Sequence, residues 1–299
     1  MSEMGETVAK LLPKASEHYE CPFEHEGPRE VKPNVLPPPD TKNNATELGK
    51  NLDEDLDTTV TLPITPGGRR STETTPFAVH FTGHHLLPGN ASWPNTSLYR
   101  WIDERGKHVN GDIGYDVNAK ANGVFLPGQR GYNQDRERKP SLPDWDACDE
   151  EFRRQYAFAA MKAKGSRQFH DSHPAYSDFV VQCLNKIAAE LEACKGGPAG
   201  CGEDDCPGNR KRGRFDPPYN LLPRLEALAE RLRPKLRGRV RDWRPPLMTS
   251  RFALMLKNRM LSEEEATEKL GADNFTYEGR TGDIRELNAE RARKLNKIP

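Results

Sequence analysis

The feature that most constrains the fold of this chain is an apolar stripe that begins after residue 174. The stripe recurs at spacings of three and four residues, through Phe179, Val180, Cys183, Leu184, Ile187, Ala188 and Leu191. This spacing places the side chains on one face of an α-helix, which must be buried against another element. Pro174 suits the first turn of such a helix, and Gly196-Gly197-Pro198 stops it. The sequence therefore predicts one long core helix.

Composition limits the core that forms around this helix. Of the 299 residues, 34% are hydrophobic and 30% are charged, and the chain holds 25 Pro and 24 Gly. We expect one modest core with long irregular arms. No run approaches the roughly 20 apolar residues that a spanning helix needs, and the first residues lack the pattern of a secretory signal. These features predict no membrane insertion, and the six scattered Cys predict synthesis in a reducing cytosol.

Three regions differ in character. Residues 1–76 hold ten prolines and are acidic, which predicts an extended or weakly structured arm for delivery or docking. Residues 77–195 form the predicted central domain. Within it we expect strands at 77–81 and 123–127, a helix at 97–105 capped by Ser97, a polar loop over 128–150 and a helix over 150–163. Residues 196–299 are predicted to be a Cys/Gly loop followed by helices at 221–232, 249–260, 262–270 and 283–295.

Five of the eight histidines lie near the edges of the central domain, at His80, His84, His85, His170 and His173. Neighbouring imidazoles suit two tasks, because one can bind a divalent metal while the other acts as a general base. On a regular strand adjacent side chains face opposite ways, so we expect a bend or Gly83 to present both His84 and His85. Chance adjacency of surface or core histidines is the alternative. His170 and His173 lie at the entry of the predicted helix, where either or both can reach one ion.

Three blocks carry a family resemblance when taken together. They are GHHLLP at 83–88, NGVFLP at 122–127 and HDSHPAY at 170–176. Their order over residues 80–191 resembles the AHH/GHH group of HNH and endonuclease VII-like nucleases, which are commonly toxin domains of bacterial secreted effectors. The resemblance implies an α+β fold, with a ββα-metal finger embedded in a mostly helical domain. It also implies a divalent cation and phosphodiester hydrolysis.

The resemblance assigns roles by position. His85 is expected to be the general base that activates water, His84 and His173 to bind the metal, and His170 to be a second ligand from the helix side or a phosphate contact. Asn122 resembles the central Asn of the HNH pattern, whose amide fixes the loop that carries the base, so it is counted with the catalytic residues. Tyr176 is expected to pack or to contact the phosphate backbone. The sequence departs from the family pattern at two points. Gly83 replaces the usual Ala, and about forty residues separate the second and third blocks.

One divalent metal ion is the expected cofactor. Imidazole ligands favour Mn²⁺, Ni²⁺ or Zn²⁺, whereas cellular abundance favours Mg²⁺, which we take as the first expectation. Cys194, Cys201 and Cys206 with Cys183 are an alternative zinc set, but their spacings are wider than zinc modules use. Ordinary thiols, or a disulfide formed after export, explain these cysteines as well.

A basic region follows the cysteine loop. Residues 210–259 hold 15 Lys and Arg against 4 Asp and Glu, although the whole chain has a formal net charge of zero. Such a region neutralises phosphates, so we expect Arg210, Lys211, Arg212 and Arg214 to bind nucleic acid. A solvated, arginine-rich helical face is the alternative. Trp243 either stacks on an unpaired base or anchors the tail.

The resemblance, supported by the basic region, implies a metal-dependent, sequence-nonspecific endonuclease that acts on DNA as an antibacterial toxin. Such a protein is expected to have a cognate immunity protein and a specialised secretion system, and to act in the cytoplasm of the target cell. Two alternatives stay open: an RNase toxin with the same finger, and a noncatalytic zinc-bound nucleic-acid-binding or adaptor module. His85 distinguishes the enzymes from the module, because a base without a ligand role has no use in a structural site.

Overall fold

The computed structural model describes residues 12, 42–53, 57–103, 105, 107–109, 111–163, 165–193, 215, 218 and 221–272. These residues contain two small antiparallel sheets and seven α-helices. The strands are β1 (Thr58–Ile64), β2 (Arg70–Val79), β3 (Phe81–His85) and β4 (Gly123–Pro127). The helices are α1 (Ala45–Leu52), α2 (Gly89–Ser92), α3 (Arg130–Arg138), α4 (Glu150–Ala163), α5 (Pro174–Ala193), α6 (Leu221–Arg237) and α7 (Arg251–Ala272). The predicted α+β class is confirmed.

The chain divides into two compact units, residues 1–257 and residues 258–299. The first unit contains the strands, helices α1 to α6 and the beginning of α7. The described residues of the second unit continue α7. No helix in the described ranges combines the length and the apolar character needed to cross a lipid bilayer.

A ribbon of β3 and β4, followed by the long helix α5, forms the predicted ββα arrangement. The two strands pair antiparallel, with His84 opposite Val124 and His85 opposite Gly123. Val124 and Leu126 point from the ribbon into the main core, which also contains the whole apolar stripe of α5. The predicted core helix and the strand at 123–127 are therefore confirmed, and the stripe holds the ribbon in place through burial of apolar surface.

The opposite face of the ribbon is covered by α1, and two glycines make this possible. A Cβ atom on Gly83 would lie 3.0 Å from the backbone nitrogen of Gly49, and one on Gly123 would lie 2.7 Å from Leu48 Cδ1. A side chain at Gly83 would press on the backbone of α1, whereas at Gly123 the obstacle is the end of the flexible Leu48 side chain, so the approach of the helix is tightest at Gly83. This contact gives a physical reason for the departure noted above, in which Gly83 stands where the family usually has Ala.

The hairpin of β1 and β2 supports a second, aromatic cluster. Val60, Leu62 and Ile64 alternate with exposed residues along β1, as a half-buried strand requires. Phe77 on β2 packs edge-to-face against Phe152 of α4, with ring centroids 5.1 Å apart. Tyr132, Trp145, Tyr156, Phe169 and Phe252 continue this cluster.

Several local expectations were wrong. The arm at 1–76 is not irregular throughout, because α1, β1 and part of β2 lie within it, and β2 crosses residue 77. The loop expected over 128–150 contains α3, whose charged sequence buries only Gly131 and Tyr132 and so lacks an apolar stripe. The helix expected at 97–105 is a short 3₁₀ helix, Ser97–Trp101, capped by the side chain of Thr96 rather than by Ser97. The division into three domains stays a prediction.

The helix over 150–163 is confirmed as α4. In the C-terminal region, α6 confirms the first expected helix and extends it to Arg237. The helices expected at 249–260 and 262–270 are one continuous helix, α7, and the helix expected at 283–295 lies outside the described residues. Trp243 is buried and its indole N–H donates to the Gly238 carbonyl, which agrees with anchoring rather than base stacking.

Candidate metal centre and catalytic site

Three histidines from two separate blocks of the sequence meet at one point. His84 lies on the core side of β3, and His170 and His173 lie in the loop that leads into α5. One nitrogen from each ring lies within 4.8 Å of the others. The Nε2 atoms of His170 and His173 are 3.2 Å apart, and the His84 ring centroid lies 4.9 Å and 5.0 Å from those of the other two.

The chemistry of these side chains fits a divalent cation. The Nε2 atom of His84 is buried and has no hydrogen-bond partner among the described residues, which is a costly arrangement unless a ligand occupies it. Two imidazole nitrogens that bind one ion at about 2.0–2.1 Å lie about 3.3 Å apart, close to the separation of His170 and His173. A cation at this position would be held by all three imidazoles.

The electrostatic environment keeps the cluster in the form that binds metal. Burial lowers the pKa of His84 well below its usual value, and the neighbouring His170 and His173 lower it further. Burial also lowers the pKa of His170 to about 4, with His173 as the next cause, and burial lowers that of His173. The imidazoles are therefore neutral near pH 7, with a lone pair available for coordination.

His85 faces the other side of the ribbon, because β3 remains regular through its last residue. The expectation that a bend or Gly83 presents the two histidines together was wrong: adjacent residues on the strand alternate in direction. His85 is 6% exposed and still lies close enough for its charge to lower the pKa values of His84 and His170. The base candidate is thus a near neighbour of the cluster without belonging to it.

A residue that sequence reasoning missed, Asn118, fixes the tautomer of His85. The Nε2 atom of His85 lies 2.9 Å from Asn118 Oδ1. The same oxygen accepts the backbone N–H of Asn44, and the amide nitrogen donates to the Lys42 carbonyl, so the amide orientation is determined. Because a carboxamide oxygen can only accept, the proton of neutral His85 resides on Nε2 and the basic lone pair on Nδ1. Asn118 lies four residues before Asn122, within a segment where no pattern distinguishes it.

Asn122 joins the start of β4 to the chain that follows His85. Its Oδ1 atom accepts the N–H of Leu87 at 2.8 Å, while its Nδ2 atom donates to the carbonyls of Leu87 and Val117 at 3.1 and 2.8 Å. The Asn122 carbonyl also accepts the N–H of Leu86. The side chain is buried and holds the backbone, as the resemblance implies, so any influence on the reaction is through position.

We expect Asn122→Ala to lower the free energy of unfolding by about 3 kcal/mol, because it leaves buried backbone groups of Leu87 and Val117 without partners. Urea denaturation monitored by circular dichroism measures this change. Asn95→Ala is the matched control, since the exposed Asn95 side chain donates only to the Ala91 carbonyl and should change stability by less than about 0.5 kcal/mol. Equal stability of the two variants would contradict the role of Asn122.

The segment that carries His170 is held by residues far along the chain. Gln168 is buried, and its Oε1 atom accepts the N–H of Thr249 at 2.8 Å. The hydroxyl of Thr249 donates to the Phe169 carbonyl, and the Thr249 carbonyl accepts the N–H of Asp171. On its other side, His170 donates its N–H to the Pro127 carbonyl of β4. These long-range bonds have no signal in the sequence.

Helix α6 holds the Asn122 segment in a similar way. The Arg233 guanidinium donates to the carbonyls of Ala121 and Gly123, the two residues that flank Asn122. Residues after 220 therefore contribute directly to the geometry of the site.

The expectation that Tyr176 contacts the phosphate backbone was wrong. Its ring is fully buried beside His84, and its hydroxyl donates to the Leu86 carbonyl at 2.8 Å, so it packs the site and cannot touch a polymer. Burial raises its pKa. Arg210, Lys211, Arg212 and Arg214 lie outside the described residues. So do Cys194, Cys201 and Cys206, while Cys183 is part of the α5 core stripe.

The central part of the chain matches a known protein family. Residues 68–196 match AHH, a nuclease family of the HNH/ENDO VII superfamily with conserved AHH. Nucleases of this superfamily are metal-dependent. The matched range contains β3, β4 and α5, hence all four histidines described above. Neither the curated proteins nor the solved structures yielded a match.

Proposed function

We propose that this protein is a metal-dependent DNA endonuclease, since residues 68–196 match a nuclease family. In this proposal His84, His170 and His173 hold one divalent cation, and His85 is the general base. The observation that carries the proposal is the convergence of the three histidines around the orphaned Nε2 atom of His84, with His85 next along the strand. A metal site with a purely structural role does not need His85 beside the ligand His84.

The proposed reaction is hydrolysis of a phosphodiester by water. His85 Nδ1 takes a proton from the attacking water, whose oxygen forms a bond to phosphorus while the bond from phosphorus to the leaving oxygen breaks and that oxygen takes up a proton from solvent. Asn118 holds the His85 ring in the tautomer that this step needs and stabilises the imidazolium that forms. The cation would offset negative charge on the nonbridging and leaving oxygens and favour water as a nucleophile near neutral pH.

The cation itself is proposed to be Mg²⁺, with Mn²⁺, Ni²⁺ and Zn²⁺ as the alternatives that imidazole ligands admit. The preference for DNA over RNA rests on the family resemblance. Incubating purified protein with supercoiled plasmid and with structured RNA, each with Mg²⁺, Mn²⁺ or EDTA, tests both points. We expect nicking of plasmid that EDTA abolishes. Cleavage of RNA alone would show that the protein is an RNase and not a DNase. Cleavage of neither substrate would reject the proposed function.

We expect Asn118→Ala to lower kcat for plasmid cleavage by about 10- to 100-fold, because a neutral His85 then loses the acceptor that keeps its proton on Nε2. Metal affinity should be unchanged, since Asn118 bonds His85, whose side chain lies on the opposite face of β3 from the ligand His84. Asn51→Ala is a suitable control, because the Asn51 side chain reaches the same loop but bonds only the Asn118 carbonyl. A kcat equal to that of the wild type in both variants would show that Asn118 does not position the base.

The biological setting is also a proposal, supported by the resemblance to effector toxins. It comprises an antibacterial role in the cytoplasm of the target cell, export by a specialised secretion system, and a cognate immunity protein with an acidic surface. Induced expression in a bacterial cytoplasm tests the toxic role. Wild-type protein should arrest growth and degrade DNA, whereas His85→Ala should do neither. Growth arrest by both proteins would contradict a role of the nuclease in toxicity.

A further inference from the structure

A cleft of about 450 Å³ opens beside the histidine cluster. Apart from His170, its lining residues have no part in the reaction proposed above. Its lining residues come from β3 and the residue after β4 (Thr82 and Gly128), from the start of α3 (Gln129, Arg130 and Asn133) and from the loop before α5 (His170, Asp171 and Ser172). One of the three proposed metal ligands therefore lies in the wall of this cleft. The lining residues from Gly128 to Asn133 belong to the segment of about forty residues that separates the second and third sequence blocks.

The wall formed by α3 offers groups that suit a phosphate. Arg130 is exposed and forms no ion pair with any described carboxylate, in contrast to Arg136 on the same helix, which pairs with Asp144. Asn133 follows one turn later and so lies on the same side of the helix. A guanidinium and an amide donor side by side are the groups that hold phosphate oxygens without reading bases.

The position of this wall is fixed relative to the histidines. Gly128 and His170 form a parallel backbone bridge, and a Cβ on Gly128 would lie 3.3 Å from the His170 carbonyl. At the start of α3, Gly131 packs so closely on β2 that a Cβ would lie 2.4 Å from the Ala78 carbonyl oxygen. Asp135 of α3 accepts the backbone N–H of Ala78. Arg130 is therefore carried on an anchored helix, which lowers the cost of binding a ligand there.

The charges are arranged unequally across the cleft. The only carboxylate among its lining residues, Asp171, stands at the histidine end, where its charge acts on His173 and opposes the effect of burial on the pKa of that residue. Arg130 lines the same cleft from the start of α3. An anion is thus favoured along α3 and disfavoured beside Asp171.

We propose that this cleft binds the phosphate next to the scissile one in the substrate strand, with Arg130 and Asn133 as the contacting side chains. The inference rests on the proposed nuclease function and adds a substrate-positioning site to it. It also gives the segment between the second and third sequence blocks a role, since this segment supplies Arg130 and Asn133 to the cleft that His170 also lines. The site contacts the backbone alone, which is consistent with cleavage that does not depend on sequence.

The test measures binding in the His85→Ala background, so that it does not depend on cleavage. Fluorescence anisotropy of a short labelled DNA duplex, with Mg²⁺ and at several salt concentrations, gives Kd and its salt dependence. Arg130→Ala should raise Kd about tenfold, as expected for loss of one charge-assisted hydrogen bond, and reduce the salt slope by about 0.9. Arg130→Lys should retain the slope. Arg138→Ala is the matched control, because Arg138 lies at the far end of α3, outside the cleft, and should change Kd less than about twofold.

Equal shifts of Kd in Arg130→Ala and Arg138→Ala, or an unchanged salt slope in Arg130→Ala, would overturn the assignment. So would a loss of bound metal in Arg130→Ala, because the residue would then act on the ligands. In the cleaving protein, Arg130→Ala should raise KM and leave kcat unchanged. If the wild type cuts no nucleic acid, the proposed function fails while the anisotropy comparison still reports on the cleft, so the two failures are distinguishable.

Discussion

His85→Ala should abolish detectable plasmid cleavage while the protein still folds and binds metal. General-base catalysis contributes about 10² to 10⁴ to the rate, so kcat should fall by that factor. His85 bonds Asn118 on the α1 side of the ribbon, whereas the three proposed ligands meet on the other side. The substitution therefore removes the proton acceptor without removing a ligand.

The measurement is a single-turnover cleavage assay together with the metal content of both proteins. His80→Ala is the matched control, because His80 lies directly before β3 but pairs with Asp57 instead of approaching the cluster. Loss of cleavage with normal metal content supports the assignment. Cleavage by His85→Ala at the wild-type rate would refute it, and loss of both cleavage and metal would move His85 into the ligand set.

His84→Ala should have the opposite pattern, with a loss of metal that removes activity as a consequence. His84 Nε2 is buried and unpartnered among the described residues, so it has no other task that explains its position. Loss of a residue that hydrogen-bonds to a metal ligand lowers metal affinity by about 10- to 100-fold. Loss of one of the three ligands themselves should lower the affinity further. His173→Ala should weaken binding in the same manner.

Titration of Mn²⁺ into metal-free protein, followed by calorimetry and by thermal unfolding, measures this effect. Because a cation that binds only the folded state stabilises it, Mn²⁺ should raise the Tm of the wild type and not that of His84→Ala. His108→Ala serves as the control, since His108 packs against Trp101 in a different part of the core. An identical metal-induced shift of Tm in His84→Ala and wild type would exclude His84 as a ligand.

Much of the site could be predicted because its residues lie in short blocks with strong local patterns. The stripe from Phe179 to Leu191 specifies α5, and the strand NGVFLP specifies β4, so the ribbon and helix follow from local sequence. The histidines at 84, 170 and 173 then meet because these elements pack together. The sequence left open whether His170, His173 or both can reach the metal. In the structure both lie within reach of the same point.

The missing parts depend on long-range contacts or on weak periodicity. Helix α3 buries little and carries mainly polar residues, so no apolar stripe reveals it. Asn118 reaches His85 across 33 residues, and Gln168 reaches Thr249 across 81, which are pairings that only the fold defines. The alternation of Val60, Leu62 and Ile64 was present in the sequence, but the proline content around it concealed the hairpin.

The most direct test of the central claim is plasmid cleavage measured while Mn²⁺ is added stepwise to metal-free protein at a concentration well above the Kd. If the three histidines hold one catalytic cation, the initial rate should rise linearly and reach a plateau at one equivalent of Mn²⁺ per chain, and His84→Ala should show no rise over the same range. A rate that is independent of added metal, a plateau at two equivalents, or a full response in His84→Ala would contradict the account.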